Sequence, residues 1–188
     1  MKIASQHPAL PHSEEVLLLV DVISSFRFPG GAALARQALP AARAIQRLKQ
    51  RLQARGVPAI YANDNEGRWQ PRYDALALRH RAQDKLAAEI ARSLEPAPSD
   101  LFLLKPRHSA FLGTPLDLVL KEMGARRLVL VGLATDFCIQ FTAMDAYLRG
   151  FALRVPGDCT AAVDPRHKRA ALAYMRRVLK ADTRRSTA

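Results

Sequence analysis

The chain has 188 residues, of which 49% are hydrophobic and 24% charged. That balance reads as one soluble globular domain rather than a disordered segment. Two cysteines are too few for a disulfide framework, so reduced thiols and a cytoplasmic location are expected. The formal charge of +12 invites a nucleic-acid reading, but the basic residues are scattered at helical spacing, as in "ARAIQRLKQRLQAR", with no aromatic-interleaved or zinc-finger pattern. No specific nucleic-acid partner is expected, and no apolar run reaches the roughly 18 residues of a membrane span.

In chain order, residues 1–14 read as an N-terminal arm without the continuous apolar core of a signal peptide. "VLLLVDV" (Val16 to Val22) is a buried-strand run ending in an acid. Apolar residues Leu34, Ala38, Ala41, Ile45, Leu48 and Leu52 then recur every three or four positions, which predicts a helix from about Leu34 to Arg55 closed by Gly56. "VPAIYAN" is a second strand, followed by the polar loop "DNEGRWQPR". A helix over about Gln83 to Ser93 precedes a third strand, "LFLLK" (Leu101 to Lys105). "TPLDLVLKEMG" reads as a helix with Thr114 as N-cap, Pro115 at its first position and Gly124 as its stop.

"RRLVLVG" is the fourth strand, and a helix from Asp136 to Arg149 follows it, stopping at Gly150. Asp136 is expected to cap that helix. "ALRVPGD" is a fifth strand, "DPRHKRAALAYMRRVL" the last helix, and residues 181–188 a frayed basic tail. Strands apolar on both faces, alternating with amphipathic helices, predict a single α/β domain. It is a three-layer αβα sandwich around a mostly parallel, Rossmann-like sheet of five or six strands.

Ligand sites in open α/β sheets gather at the carboxyl ends of the strands. Asp21, Lys105 and Cys138 all fall there, in three separate units. A helix N-terminus and a nearby cation both favour the thiolate. Lys105 could supply the cation, and Asp21 could take the thiol proton and hand it to a leaving amine. Cys159 reads as a structural thiol, and His108, which could reach the pocket mouth, reads rather as an ordinary exposed or hydrogen-bonded histidine.

The segments "LLLVDVISSF", "YANDNEGRW", "LKPRHSAFLGTPLD" and "VGLATDFCIQFTAMDAYLRGFALRVPGDCTAA" resemble the isochorismatase-like superfamily of cysteine hydrolases from Val16 to about Tyr174. The resemblance implies an Asp21–Lys105–Cys138 triad and a cis peptide between Leu133 and Ala134. It also implies an oxyanion hole from the backbone N–H groups of Ala134 and Cys138. Nicotinamidases of this superfamily hold a metal with an Asp and paired histidines after the second strand. Here "NDNEGRW" offers only Asp64 and Glu66, so no catalytic metal and no cofactor are expected.

The loop pattern "NDNxGxW" implies a pocket framed by Asn63, Asn65 and Trp69, with Phe26 and Phe111 as apolar walls. The expected function is C–N bond hydrolysis of a small amide, carbamoyl or ureido compound through a thioester. Arg72, Arg107 and the general positive charge point to an anionic substrate, and the resemblance to a homo-oligomer, dimer or tetramer. Two alternatives stay open: an isochorismate-type vinyl ether hydrolase, and a non-catalytic scaffold or binding protein of the same fold.

Overall fold

The computed structural model describes residues 9–65 and 85–187. Among the described residues there are six strands: β1 (Glu15–Val20), β2 (Ala59–Asp64), β3 (Leu101–Lys105), β4 (Arg127–Leu133), β5 (Ala152–Arg154) and β6 (Thr160–Ala161). Five α-helices join them: α1 (Gly31–Gln53), α2 (Lys85–Ser93), α3 (Leu116–Glu122), α4 (Gln140–Leu148) and α5 (Pro165–Val178). Every pairing between these strands is parallel, in the order β3-β2-β1-β4-β5, with β6 also on β4. The doubly wound α/β architecture expected from strand–helix alternation is therefore the one observed.

The central strands are apolar on both faces because both faces are covered. Leu17 and Leu19 of β1 pack with Leu34, Ile45, Leu48 and Ile90 of α1 and α2. Val16, Leu18 and Val20, on the opposite face, pack with Leu116, Leu120, Ala143, Ala146 and Met175 of α3, α4 and α5. Each fully buried Leu or Val side chain contributes about 1.5–3 kcal/mol relative to exposure. A one-residue slip of β1 would exchange these two sets and lose their fit.

Two glycines are dictated by close backbone approach. A Cβ on Gly132, whose φ is 121°, would lie 2.0 Å from the Val20 carbonyl oxygen, its partner in β1. A Cβ on Gly31 would lie 1.9 Å from the carbonyl oxygen of Phe26. The first lets β4 run tightly beside β1 up to Leu133. The second lets α1 start three residues earlier than apolar periodicity indicated, directly under the loop that leaves β1.

Three local expectations are corrected. The helix read as Asp136 to Arg149 is a π-helical turn, Thr135–Ile139, followed by α4. Asp136 does not cap it; its carboxylate lies 3.6 Å from His167 Nδ1 on α5. The fifth strand ends at Arg154, and Gly157–Cys159 form a 3₁₀ turn before β6, since Pro156 has no N–H to continue a ladder. Thr114 acts on its helix from one residue further out than expected: α3 begins at Leu116, whose N–H donates to the Thr114 hydroxyl at 3.2 Å.

The tail is docked, not frayed. Asp182 forms a parallel bridge with Arg154, and the N–H of Val155 donates to its carbonyl at 2.7 Å. Ser186 is buried, and its N–H and hydroxyl both donate to the Asp158 carboxylate, at 2.7 and 2.8 Å. Those bonds hold the Asp158 carboxyl below its ordinary range against the opposing effect of burial. Asp158→Ala should therefore release the tail and cost about 2 kcal/mol, seen as a lower urea midpoint. A midpoint equal to wild type would show that the tail contributes nothing to stability.

Candidate active site

Four polar side chains converge at the carboxyl edge of the sheet because each ends or follows a neighbouring strand. Asp21 follows β1 with a left-handed φ of 50°, uncommon for a residue with a Cβ, and its N–H donates to the Ala62 carbonyl at 3.0 Å. Asp64 ends β2 and Lys105 ends β3, paired in register. Cys138 lies in the π-helical turn after β4, reached through a cis peptide between Leu133 and Ala134. The N–H groups of Phe137 and Ile139 both donate to the Ala134 carbonyl at 3.1 Å; that of Cys138, between them, does not.

Lys105 is the hub. Its side chain is 0% exposed, and its Nζ lies 2.8 Å from Asp21 Oδ2, 3.7 Å from Cys138 Sγ and 3.8 Å from Asp64 Oδ2. It also donates to the Arg107 carbonyl at 3.1 Å. The second oxygen of Asp21 accepts from the Asp64 N–H at 2.7 Å, and the Cys138 thiol hydrogen-bonds the same carboxylate.

The electrostatics set burial against the charges of the cluster. Burial, reinforced by the Asp21 charge, pushes the Cys138 thiol up to about 12, and Lys105 only partly offsets this. These effects favour the neutral thiol, against the thiolate that a helix start and a nearby cation favour. Burial also pushes the Asp21 carboxyl above its ordinary range, against the pull of Lys105. For Lys105 burial acts downward, but Asp21, Cys138 and Asp64 together outweigh it and hold the ammonium above its ordinary range. Alkylation of Cys138 should keep accelerating beyond pH 9 without levelling near neutrality; a plateau below pH 7 would contradict this.

The cluster opens into a cavity of about 750 Å³. Its walls include Ile23, Phe28, Leu34, Leu133, Phe137 and Val163, with Ser24, Ser25, Arg27, Asn63, Asp64, His108 and Asp136 as polar members. Of the expected pocket residues, Asn63 lines it. Asn65 does not; it is buried, with its N–H on the Lys105 carbonyl at 3.0 Å. Trp69, like Arg72 and Glu66, lies outside the described residues.

Phe26 and Phe111 are not walls of this cavity. Phe26 is buried with a left-handed φ of 54° and belongs to the core beneath α1. Phe111 is buried under the Arg149 guanidinium, 4.6 Å from its ring centre. Phe28, two residues beyond Phe26, and Phe137 of the π-helical turn take the wall positions, 47% and 46% exposed. Apolar identity marked the right segment at Phe26, where the left-handed backbone decides which aromatic enters the core, but not at Phe111. His108 also lines the cavity, its ring 4.2 Å from that of Phe137.

Among the described residues, no group of three His, Cys, Asp or Glu side chains could hold a metal ion. Asp64 Oδ2 lies 3.8 Å from the Lys105 ammonium. No helix among the described residues is long and apolar enough to cross a membrane.

Comparison with known proteins agrees with this architecture. The family described as "Isochorismatase domain" matches residues 15–184. The chain is 34% identical over 170 residues to the uncharacterized isochorismatase family protein YaaI of Bacillus subtilis, covering 90% of this chain and 93% of that one. It is 30% identical over 195 residues to the ureidoacrylate amidohydrolase RutB of Methylobacterium radiotolerans, covering 88% and 74%. The crystal structure of N-carbamoylsarcosine amidase from Thermoplasma acidophilum superposes with a TM-score of 0.70 at 27% identity, covering 94% and 98%. The nicotinamidase PncA of Bacillus subtilis superposes at 0.69 and 26% identity, covering 92% and 99%. The chain belongs to the isochorismatase family, as a hydrolase of its amidohydrolase type.

Proposed function

We propose that this hydrolase cleaves the C–N bond of a small amide, carbamoyl or ureido compound, with Asp21, Lys105 and Cys138 as its catalytic residues. The observation that carries the reading is a buried ammonium within reach of both a carboxylate and a thiol at the cavity floor. Asp21 takes the Cys138 proton as sulfur attacks the carbonyl carbon and forms the S–C bond. The carbonyl electrons move onto oxygen, held by the N–H groups of Ala134 and Cys138. Collapse breaks the C–N bond, and the leaving nitrogen takes the proton from Asp21. Water then attacks the thioester, giving one proton to Asp21, which returns it to the sulfur. Lys105 stays cationic throughout and limits the cost of charge on sulfur.

Arg27 at the cavity wall supports an anionic substrate, and two free cysteines support a reducing compartment such as the cytoplasm. Exposed Phe137, Phe141, Tyr147 and Leu148 support a homo-oligomer in which a second copy covers them; light scattering would measure its size. A cysteine flanked by base and ammonium favours acyl transfer over vinyl ether hydrolysis, which needs no nucleophilic sulfur.

The test pairs two readouts on Asp21→Asn. Ammonia release from a panel of primary amides, carbamoyl and ureido compounds should fall by about 10²–10⁴-fold, because the general base is gone. Alkylation of Cys138 at pH 8 should quicken, because the carboxylate that raises the thiol is gone. Retained hydrolysis, or a wild-type protein that turns over no member of the panel, would defeat the reading.

A further inference from the structure

Asn63 stands one residue before the end of β2, opposite Leu104 and next to the Asp64–Lys105 pair. Its side chain is 1% exposed and lines the cavity. The Nδ2 donates to the Ile23 carbonyl at 2.6 Å. A carbonyl can only accept, so this bond fixes which end of the amide faces Ile23 and which faces away. The other end, Oδ1, is buried and has no hydrogen-bond partner. A buried acceptor left unpaired costs about 1–3 kcal/mol, and such atoms in folded proteins call for an explanation. The hydroxyls of Thr135 and Thr160 are also buried and unpartnered, but neither lines the cavity.

An acceptor fixed beside the triad wants a donor that arrives with the ligand. Asp21, one hydrogen bond away through Asp64, is the group that protonates the leaving nitrogen in the amide-hydrolase reading, on which this inference rests. We infer that Asn63 is a specificity residue whose Oδ1 accepts an N–H of the reacting group. The site takes amides, carbamoyl and ureido compounds that keep an N–H, and turns away esters and fully N-substituted analogues. Holding one N–H on Asn63 leaves the nitrogen lone pair free for the proton on Asp21. A site built to bond an N–H discriminates sharply, because an analogue lacking it leaves the buried oxygen unpaired.

The experiment uses a matched pair of thiol reagents, iodoacetamide and N,N-dimethyliodoacetamide, with Cys138 labelling followed by mass spectrometry at pH 9. Free glutathione gives the intrinsic ratio of the two rates. Wild-type Cys138 should favour iodoacetamide over that ratio by about tenfold, the worth of one buried hydrogen bond. Asn63→Ala should return the ratio to that of glutathione, while Asn63→Asp, which keeps the acceptor, should retain most of the preference. If Asn63→Ala does not fold, Asn63→Leu, of similar volume, replaces it. Loss of the Ile23 bond alone would slow both reagents alike and leave their ratio untouched.

A wild-type ratio equal to that of glutathione overturns the inference. So does a preference that survives Asn63→Ala, or a Cys138 that reacts with neither reagent. Amide turnover is scored separately. Amides hydrolysed without N–H discrimination would sink the role of Asn63 and spare the reaction. Discrimination without turnover of any amide would do the reverse.

Discussion

Cys138→Ala should lower hydrolysis by about 10⁴-fold or more, as loss of a nucleophile does in other acyl-transfer enzymes, while the protein stays folded. The sulfur is half-buried at the cavity floor and its surroundings hold it as a thiol. Its removal therefore strips little packing and no resident charge. A loss of about 1 kcal/mol would lower the midpoint of a chain this size by about 2–4 °C. Cys159→Ala supplies the contrast. That thiol is fully buried under α1, and burial, with the nearby Asp158 charge, pushes it up to about 12 as well. Its replacement should cost stability and leave kcat/KM unchanged. A Cys138→Ala protein that still hydrolyses its substrate would end the thioester mechanism, and with it the assignment of Asp21 as the base.

The contrast shows why the strands, and the placing of Asp21, Lys105 and Cys138 together, were legible in the sequence. β1, β2 and β4 are apolar on both faces because helices cover both sides of the sheet, and this leaves short continuous runs rather than alternation. Reactive residues at the ends of such runs stand out, since Asp21 and Lys105 interrupt apolar segments that need no charge for packing. The features that were not legible depend on contacts far apart in the chain or on backbone direction. The tail docks through Ser186 onto Asp158, 28 positions away, which no local composition signals. Phe26 and Phe28 are two residues apart, and only the left-handed turn at Phe26 decides which one enters the core. The acidity of Cys138 is hard to read along the chain for a related reason. A helix start and a lysine can be read along the chain, whereas the depth of burial and the distance to Asp21 cannot. Both of those effects raise the thiol.

Lys105→Met tests the balance among these charges, and its effect should appear in both activity and stability. Methionine matches the length of the lysine stem but leaves Asp21 and Asp64 facing each other without the ammonium at 2.8 and 3.8 Å. Activity should fall by about 10²–10³-fold, the usual loss when one preorganised charge is removed from a developing anion. Breaking a buried pair from one side costs about 3–5 kcal/mol, and the protein can relieve part of this by protonating Asp21. That carboxyl already sits above its ordinary value of 3.8 because of burial, with Lys105 the chief restraint. Without the restraint it should rise further. The folded state then binds more protons than the unfolded state between 3.8 and the new value, so stability falls as pH rises through that window. Lys105→Met should accordingly lie closest to wild type in urea midpoint near pH 4–5 and furthest from it at neutral pH. The acid limb of any residual activity should shift upward with the Asp21 carboxyl. A constant gap in midpoint across this range would mean that Lys105 contributes packing alone, and that the Asp21–Lys105 pair does not set the protonation of the site.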